Sequence, residues 1–355
     1  MTVDSSNFGS MPSDARRAAR WRRASPWRQR AGALSGRRDH EGGHSAALEG
    51  LAAGQADVGM AAGADVWAES GVASTHARRA TWRALLRNPS ALAGLVLLAA
   101  FAVLALIAPV CFPGDPLDMV AAPFEWPFAD PAYWLGTDSL GRDVAAGIAH
   151  GARVSLLIGA SAAALGLTIG TLVGALGGYF GGIVDNVCMR VTELFQTVPS
   201  FLLVVVIVAI GRPQVTVIAF AIGVASWPSV ARIVRAEFRA LRHADFVLAA
   251  RSQGFGNARI IFGEILPNAL PPVIVTASVM VASAILIESS LSFLGMGDPN
   301  VVSWGAMIGA GRDALRTAWY LSAIPGAAIV LAVLALNLLG DGLNEVLNPR
   351  LRQRV

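Results

Sequence analysis

No lysine occurs anywhere in the 355 residues, so all 28 basic residues are arginine. A Walker-type phosphate loop needs a lysine on the nucleotide phosphates, which this chain cannot supply. If ATP drives the protein, another subunit must bind it. Charge of either sign is scarce. Charged residues make up 15% of the chain and hydrophobic ones 54%, whereas soluble domains carry nearer a quarter charged residues. The composition therefore points to a membrane protein. The two cysteines, Cys111 and Cys188, support neither a metal site nor a disulfide framework. His40-Glu41-Gly42-Gly43-His44 matches the H-E-x-x-H zinc-peptidase pattern. That chemistry requires a helix to bring both histidines to one face, and two adjacent glycines each weaken a helix by about 1 kcal/mol. No cofactor or metal is expected.

What is present is arranged unevenly. Residues 1–80 are rich in Ala, Gly, Ser and Arg, with nine arginines before residue 39. They show no apolar period and read as a disordered basic tail. The first apolar run starts about ninety residues in, too late for a cleaved signal peptide.

A bilayer core takes about 20 apolar residues in helical form. Six segments approach or meet that length: Ala91 to Phe112, Val154 to Leu176, Leu194 to Ile210, Gln214 to Trp227, Leu270 to Ser290 and Ala318 to Leu339. Gly211-Arg212-Pro213 reads as a tight turn between the third and the fourth. The fold class is thus all-α integral membrane, with residues 81–152 holding the first span and an acidic loop, and 153–355 forming a core.

The loop from Pro113 to Arg153 carries six acids against Arg142 and Arg153; that from Pro228 to Pro267 carries six arginines against three acids. Arginines also precede the first span and follow the last. With six spans the arginine-rich pieces all fall on one side. The positive-inside rule then makes both termini and the 230–267 loop cytoplasmic. This places Cys111 and Cys188 near opposite faces. Thr137 or Asp138 can cap the helix that leads into the second span. Within that span Gly166, Gly170, Gly174, Gly178 and Gly182 recur every fourth residue. They form a groove that lets a neighbouring backbone approach, in this subunit or a partner. Glu288 is the one acid well inside an apolar span. Such an acid is a functional suspect, here for a pore or gate, with capping of the Ser289-Ser290 turn as the structural alternative.

The segment from Val230 opens with Ile233, Val234, Phe238 and Leu241 at helical spacing. Leu248-Ala249-Ala250-Arg251-Ser252-Gln253-Gly254 follows, and then Leu266-Pro267-Asn268. The Ala-Ala-x-x-x-Gly at fixed distance from Leu-Pro resembles the "EAA" loop of permease subunits in bacterial ABC importers. In place of that family's usual glutamate stands Leu248. Its usual isoleucine position holds Glu264, with Ile265 one place later. Trp134 to Asp143, Gly151 to Leu156, Glu288 to Gly295, Gly311-Arg312-Asp313 and Asn337 to Leu343 further resemble the second permease subunit of the dipeptide/oligopeptide (nickel/glutathione) transport group. This similarity runs collinearly over about residues 81 to 350.

The resemblance implies a type I importer permease in the bacterial inner membrane that performs no covalent chemistry itself. Its partners would be a second permease, two ATPase subunits, an extracytoplasmic solute-binding protein and the lipid bilayer, with no nucleic acid. Leu248, Ala249, Ala250, Gly254, Leu266 and Pro267 would form the ATPase-docking turn, in which small alanines permit close approach and glycine ends the helix. The rival classes are a secondary transporter, which needs midplane charges, and a membrane-embedded enzyme, which needs a paired nucleophile and base. No apolar span contains a histidine, and Glu288 is the only deep acid.

Overall fold

A computed structural model describes residues 85–347. The 1–80 tail with its histidine pair, and the arginines after residue 347, lie outside them. Among the described residues the elements are helical, and the only ladder is a single antiparallel bridge between Thr137 and Asp143. Five helices are long and apolar enough to cross a membrane: α1 (Pro89–Cys111), α2 (Val144–Phe180), α5 (Val215–Leu241), α7 (Asn257–Phe293) and α9 (Tyr320–Leu347). The short helices α3 (Gly182–Thr197) and α4 (Ser200–Gly211) form a pair bent by 79° that makes a sixth. Two eight-residue helices, α6 (Asp245–Ser252) and α8 (Trp304–Gly311), and a 3-10 turn at Arg312–Ala314 lie between the spans.

Local chemistry explains where the helices start and break. Pro89 begins α1 behind an Asn88 cap whose side chain accepts from the amides of Ser90 and Ala91. The cap of α2 is Asp143, which accepts from the Ala145 amide at 2.8 Å, rather than Thr137 or Asp138. Thr137 is fully buried in the 113–143 loop, where its hydroxyl donates to the Ala122 carbonyl and accepts from the Glu125 amide.

The third span departs from the straight helix expected over Leu194 to Ile210. Proline clashes with an α-helical predecessor, so Val198 before Pro199 is extended (φ −93°, ψ 129°) and the chain turns there. The fourth span departs in the other direction. Pro228 sits inside α5, and the apolar helix expected at the start of the 230–267 loop is the continuation of that span to Leu241.

Helix α2 has 37 residues, about 55 Å at 1.5 Å per residue, so it overshoots a bilayer core of about 30 Å. Its glycine groove is filled from within the same chain, by α5. A β-carbon at Gly170 would lie 2.5 Å from Val230 Cβ and 2.7 Å from the Trp227 carbonyl oxygen. At Gly174 it would lie 2.5 Å from the Ala231 carbonyl, and at Gly178 2.6 Å from Phe238 Cβ. Gly182 falls outside the groove; it opens α3 at a positive φ with no atom within 4 Å of where its β-carbon would be.

Long-range hydrogen bonds sort the helix ends into two sets. At one end Asn88 donates to Glu345 at 2.6 Å, the Tyr179 hydroxyl to Asn257 at 2.9 Å, and Arg242 to the Gly178 carbonyl. At the other, the Val215 amide donates to Asp298 at 3.1 Å, and the Trp304 indole to the Ile148 carbonyl at 3.0 Å. The Tyr320 hydroxyl there lies 2.8 Å from the carbonyls of both Glu125 and Thr137. Helix α6 therefore lies at the first end, and the 113–143 loop with α8 at the second.

Candidate functional site

Helix α6 ends in a cap built around one glycine. The Gly254 amide donates to the Arg251 carbonyl at 2.9 Å and the Phe255 amide to the Ala250 carbonyl at 3.1 Å. These are the paired bonds of a Schellman motif, with Gly254 in the left-handed conformation it requires, φ +80°. Phe255 then packs on the same apolar cluster as Ala250, which supplies the hydrophobic contact that accompanies this cap. The sequence expectation that glycine terminates the first helix of the loop thus holds.

The two alanines part company. Val247 and Ala250, three residues apart on one helical face, are buried against Tyr179, Ile260 and Ile261. Ala249 faces out with Leu248, which is 48% exposed, and Phe246. Gly254 is also exposed, with open space around the position of its β-carbon. Leu266 is half-buried against the cluster and Pro267 is exposed. Of the six residues picked out, Leu248, Ala249, Gly254 and Pro267 are exposed, whereas Ala250 and Leu266 pack on the cluster that fastens the helix. A bulky residue at Ala250 would therefore disturb that attachment before it met any partner.

The attachment is unusual in its winding. Residues Ile260–Ile265 form a turn of π-helix, closed by the Leu266 amide donating to the Ile261 carbonyl five residues back. The wider turn keeps Ile260, Ile261 and Ile265 all buried on one side. Arg251 lies over the Tyr179 ring at 5.5 Å and Arg259 over the Phe255 ring at 3.9 Å. Those contacts fix two of the loop's arginines by cation–π attraction. Close by, Arg235 on α5 makes a two-pronged hydrogen-bonded ion pair with Asp185 on α3, its second contact at 2.7 Å. Nothing in the spacing of residues 185 and 235 announces this pair in the sequence.

Glu288 is 1% exposed. Its Oε1 accepts from the hydroxyls of Ser292 at 2.8 Å and Ser303 at 2.7 Å, while Oε2 has no partner. Ser303 is also the N-cap of α8, accepting from the Ala306 amide. The carboxyl is thus enclosed between α7 and α8. Helix α8 itself went unread in the sequence, although Ser303 before an apolar octet that ends in glycine is a cap-to-cap signature. On its outer side α8 borders a cavity of about 190 Å³, also lined by Asp138, Arg142, Asp143 and Asp298. Burial raises the Asp143 carboxyl above the ordinary aspartate range, opposed by the amides of Ala145 and Ala146.

A small capped helix thus lies at one end of the helical bundle, and a second capped helix is held against α7 at the other. Residues 166–353 match the family described as binding-protein-dependent transport system inner membrane component. The chain belongs to that family. Residues 77–130 match the N-terminal transmembrane domain of oligopeptide transport permease C.

Among curated relatives of this inner membrane component, the di/tripeptide transport system permease protein DppC of Pseudomonas aeruginosa is 39% identical over 277 residues, 76% of this chain and 91% of that protein. The dipeptide transport system permease protein DppC of Haemophilus influenzae is 36% identical over 278 residues, 77% of this chain and 94% of that one. A solved inward-facing form of the MetNI methionine ABC transporter is similar with a TM-score of 0.47 at 18% identity, over 55% of this chain and 93% of that one. The chain is a membrane permease, and the enzyme reading is not favoured.

Proposed function

We propose that this permease forms half of the translocation pathway of an ATP-binding-cassette importer for dipeptides, oligopeptides or related small solutes. A second permease completes the pathway, two ATPase subunits drive it, and an extracytoplasmic binding protein delivers the solute. The peptide assignment rests on the relatives, whose names specify di- and tripeptide transport. The ATPase docks on α6. The observation that carries this is the exposure of Leu248 and Ala249 on a helix held rigidly from behind by Val247, Ala250 and the Gly254 cap. A short helix with a small residue at its crest fits a partner's groove. The arginines at that end, Arg242, Arg251 and Arg259, favour the cytoplasmic side. Both termini then lie in the cytoplasm, since α1 starts and α9 ends there with them.

A pair of arginine substitutions tests the docking face. Ala249→Arg places bulk and charge on the exposed surface, so the variant should insert and pair with the second permease but lose the ATPase subunits on purification. Ala250→Arg instead forces a charge into the cluster around Tyr179 and Ile260, and should lower thermal stability as well. Retention of ATPase subunits and of peptide uptake by Ala249→Arg would refute the assignment.

A further inference from the structure

Helix α7 continues from Asn257 to Phe293, through the π turn at Ile260–Ile265 and past Pro267, Pro271 and Pro272. It joins the docking segment at one end to Glu288 near the other, roughly 47 Å away at 1.5 Å per residue. Helix α8 lies flush on that far portion. A β-carbon at Gly305 would stand 2.5 Å from Ser289 Cα, and one at Gly309 2.9 Å from the Ser292 carbonyl oxygen. Two polar ties cross this contact: the Glu288 carboxyl, whose Oε1 holds Ser292 of α7 and the Ser303 cap of α8 together, and Arg312, the residue after α8, which donates to the Phe293 carbonyl at 3.1 Å. Ala306, Met307 and Ala310 on α8 line the far-end cavity with Asp143 and Asp298.

From this geometry we propose that Glu288 is a positioning residue that couples the far face to the docking helix. By seating α8 on α7 through its Oε1, it makes a displacement at the cavity a displacement of the rod that begins in the docking segment. The far-face event is the arrival of the loaded binding protein, so the inference rests on the importer reading above. What Glu288 must supply is a hydrogen-bond acceptor for two hydroxyls; an apolar side chain of similar bulk leaves Ser303 tied only to the Ala306 amide.

The test uses the assembled transporter, both permeases with both ATPase subunits, in liposomes. Basal ATP hydrolysis is compared with hydrolysis stimulated by the loaded binding protein. Glu288→Leu should leave the basal rate within about twofold and lower the stimulation by roughly tenfold, the scale of a lost buried hydrogen-bond pair. Glu288→Gln, whose amide oxygen still accepts, should stay close to the unmodified transporter. Ser303→Ala should behave as Glu288→Leu does, and Ser303→Thr, which restores the hydroxyl, should recover the stimulation. Full stimulation in both Glu288→Leu and Ser303→Ala would overturn the proposal. So would a Glu288→Gln variant as impaired as Glu288→Leu, since that outcome assigns the role to charge rather than to the acceptor. If Glu288→Leu fails to assemble, the Ser303→Ala and Ser303→Thr pair decides by the same criterion. Loss of the ATPase subunits from the Ser303→Ala complex would also overturn it, because only docking-face variants should shed them.

Discussion

Replacing Gly170 by alanine sets two opposing effects against each other, and the structure says which wins. In a helix interior the change from glycine to alanine gains about 0.8–1 kcal/mol of propensity. At Gly170, however, the new methyl would stand 2.5 Å from Val230 Cβ and 2.7 Å from the Trp227 carbonyl oxygen. Ordinary carbon contacts begin near 3.5 Å, so α5 would have to retreat by roughly 1 Å. Neither obstacle is the loose end of a long side chain; one is backbone and the other a β-carbon fixed to it. The retreat would loosen the neighbouring contacts at Gly166, Gly174 and Gly178 along the same groove. Overpacking of this kind costs about 1–3 kcal/mol, so the net effect should be a loss of up to about 2 kcal/mol. The internal control is Gly326 within α9, where no atom lies within 4 Å of where a β-carbon would stand. There alanine should keep the propensity gain. Thermal unfolding of the detergent-solubilised protein, followed by the loss of its monodisperse peak, reads both. Gly170→Ala should fall several degrees below the unmodified protein and Gly326→Ala should match or exceed it. A Gly170→Ala variant as stable as Gly326→Ala would refute the reasoning that the α2–α5 contact is limited by backbone approach.

Three other outcomes are expected. Gly254→Val meets no steric obstacle but must hold a β-branched residue at φ +80°, a strain of about 1–2 kcal/mol; it should weaken ATPase copurification, whereas Gly254→Asn, which tolerates that conformation, should largely preserve it. Cys111 ends α1 at the far end and is exposed, and Cys188 lies on α3 at the docking end, so a membrane-impermeant thiol reagent added outside intact cells should label a Cys188→Ser variant, through Cys111, and spare a Cys111→Ser variant; the opposite pattern would reverse the proposed orientation. Asp185→Ala should destabilise the purified protein by about 1.5–3 kcal/mol, the range for hydrogen bonds to charged groups, with the Asp185→Arg, Arg235→Asp double exchange recovering part of it; equal melting temperatures for Asp185→Ala and the unmodified protein would deny the ion pair a role in holding α3 to α5.

Much of this protein is determined by runs and periods that need no partner to be read. Apolar stretches such as Ala91 to Phe112 must be helical in a bilayer, because every backbone polar group has to be satisfied within the segment. The fourfold spacing of Gly166, Gly170 and Gly174 announces a close helix neighbour, and Gly254 after Ala249-Ala250 announces a capped turn. These features are local: each follows from what a residue does to its own backbone or to the next helical turn. The tertiary structure decided what depends on direction. The glycine groove could have met a partner subunit, and only the placement of Trp227 and Val230 shows that α5 fills it. Ala249 and Ala250 are identical in sequence terms, yet one helical step of about 100° puts one outside and the other against Tyr179 and Ile260. The break at Val198-Pro199 and the passage of α5 through Pro228 show the same proline chemistry with opposite results, since proline is tolerated where flanking residues such as Trp227 and Val230 are packed firmly against a neighbour. Glu288 was conspicuous as a lone acid in an apolar run, but its partners, Ser292 one turn on and Ser303 across a loop, came together only when α8 folded back onto α7.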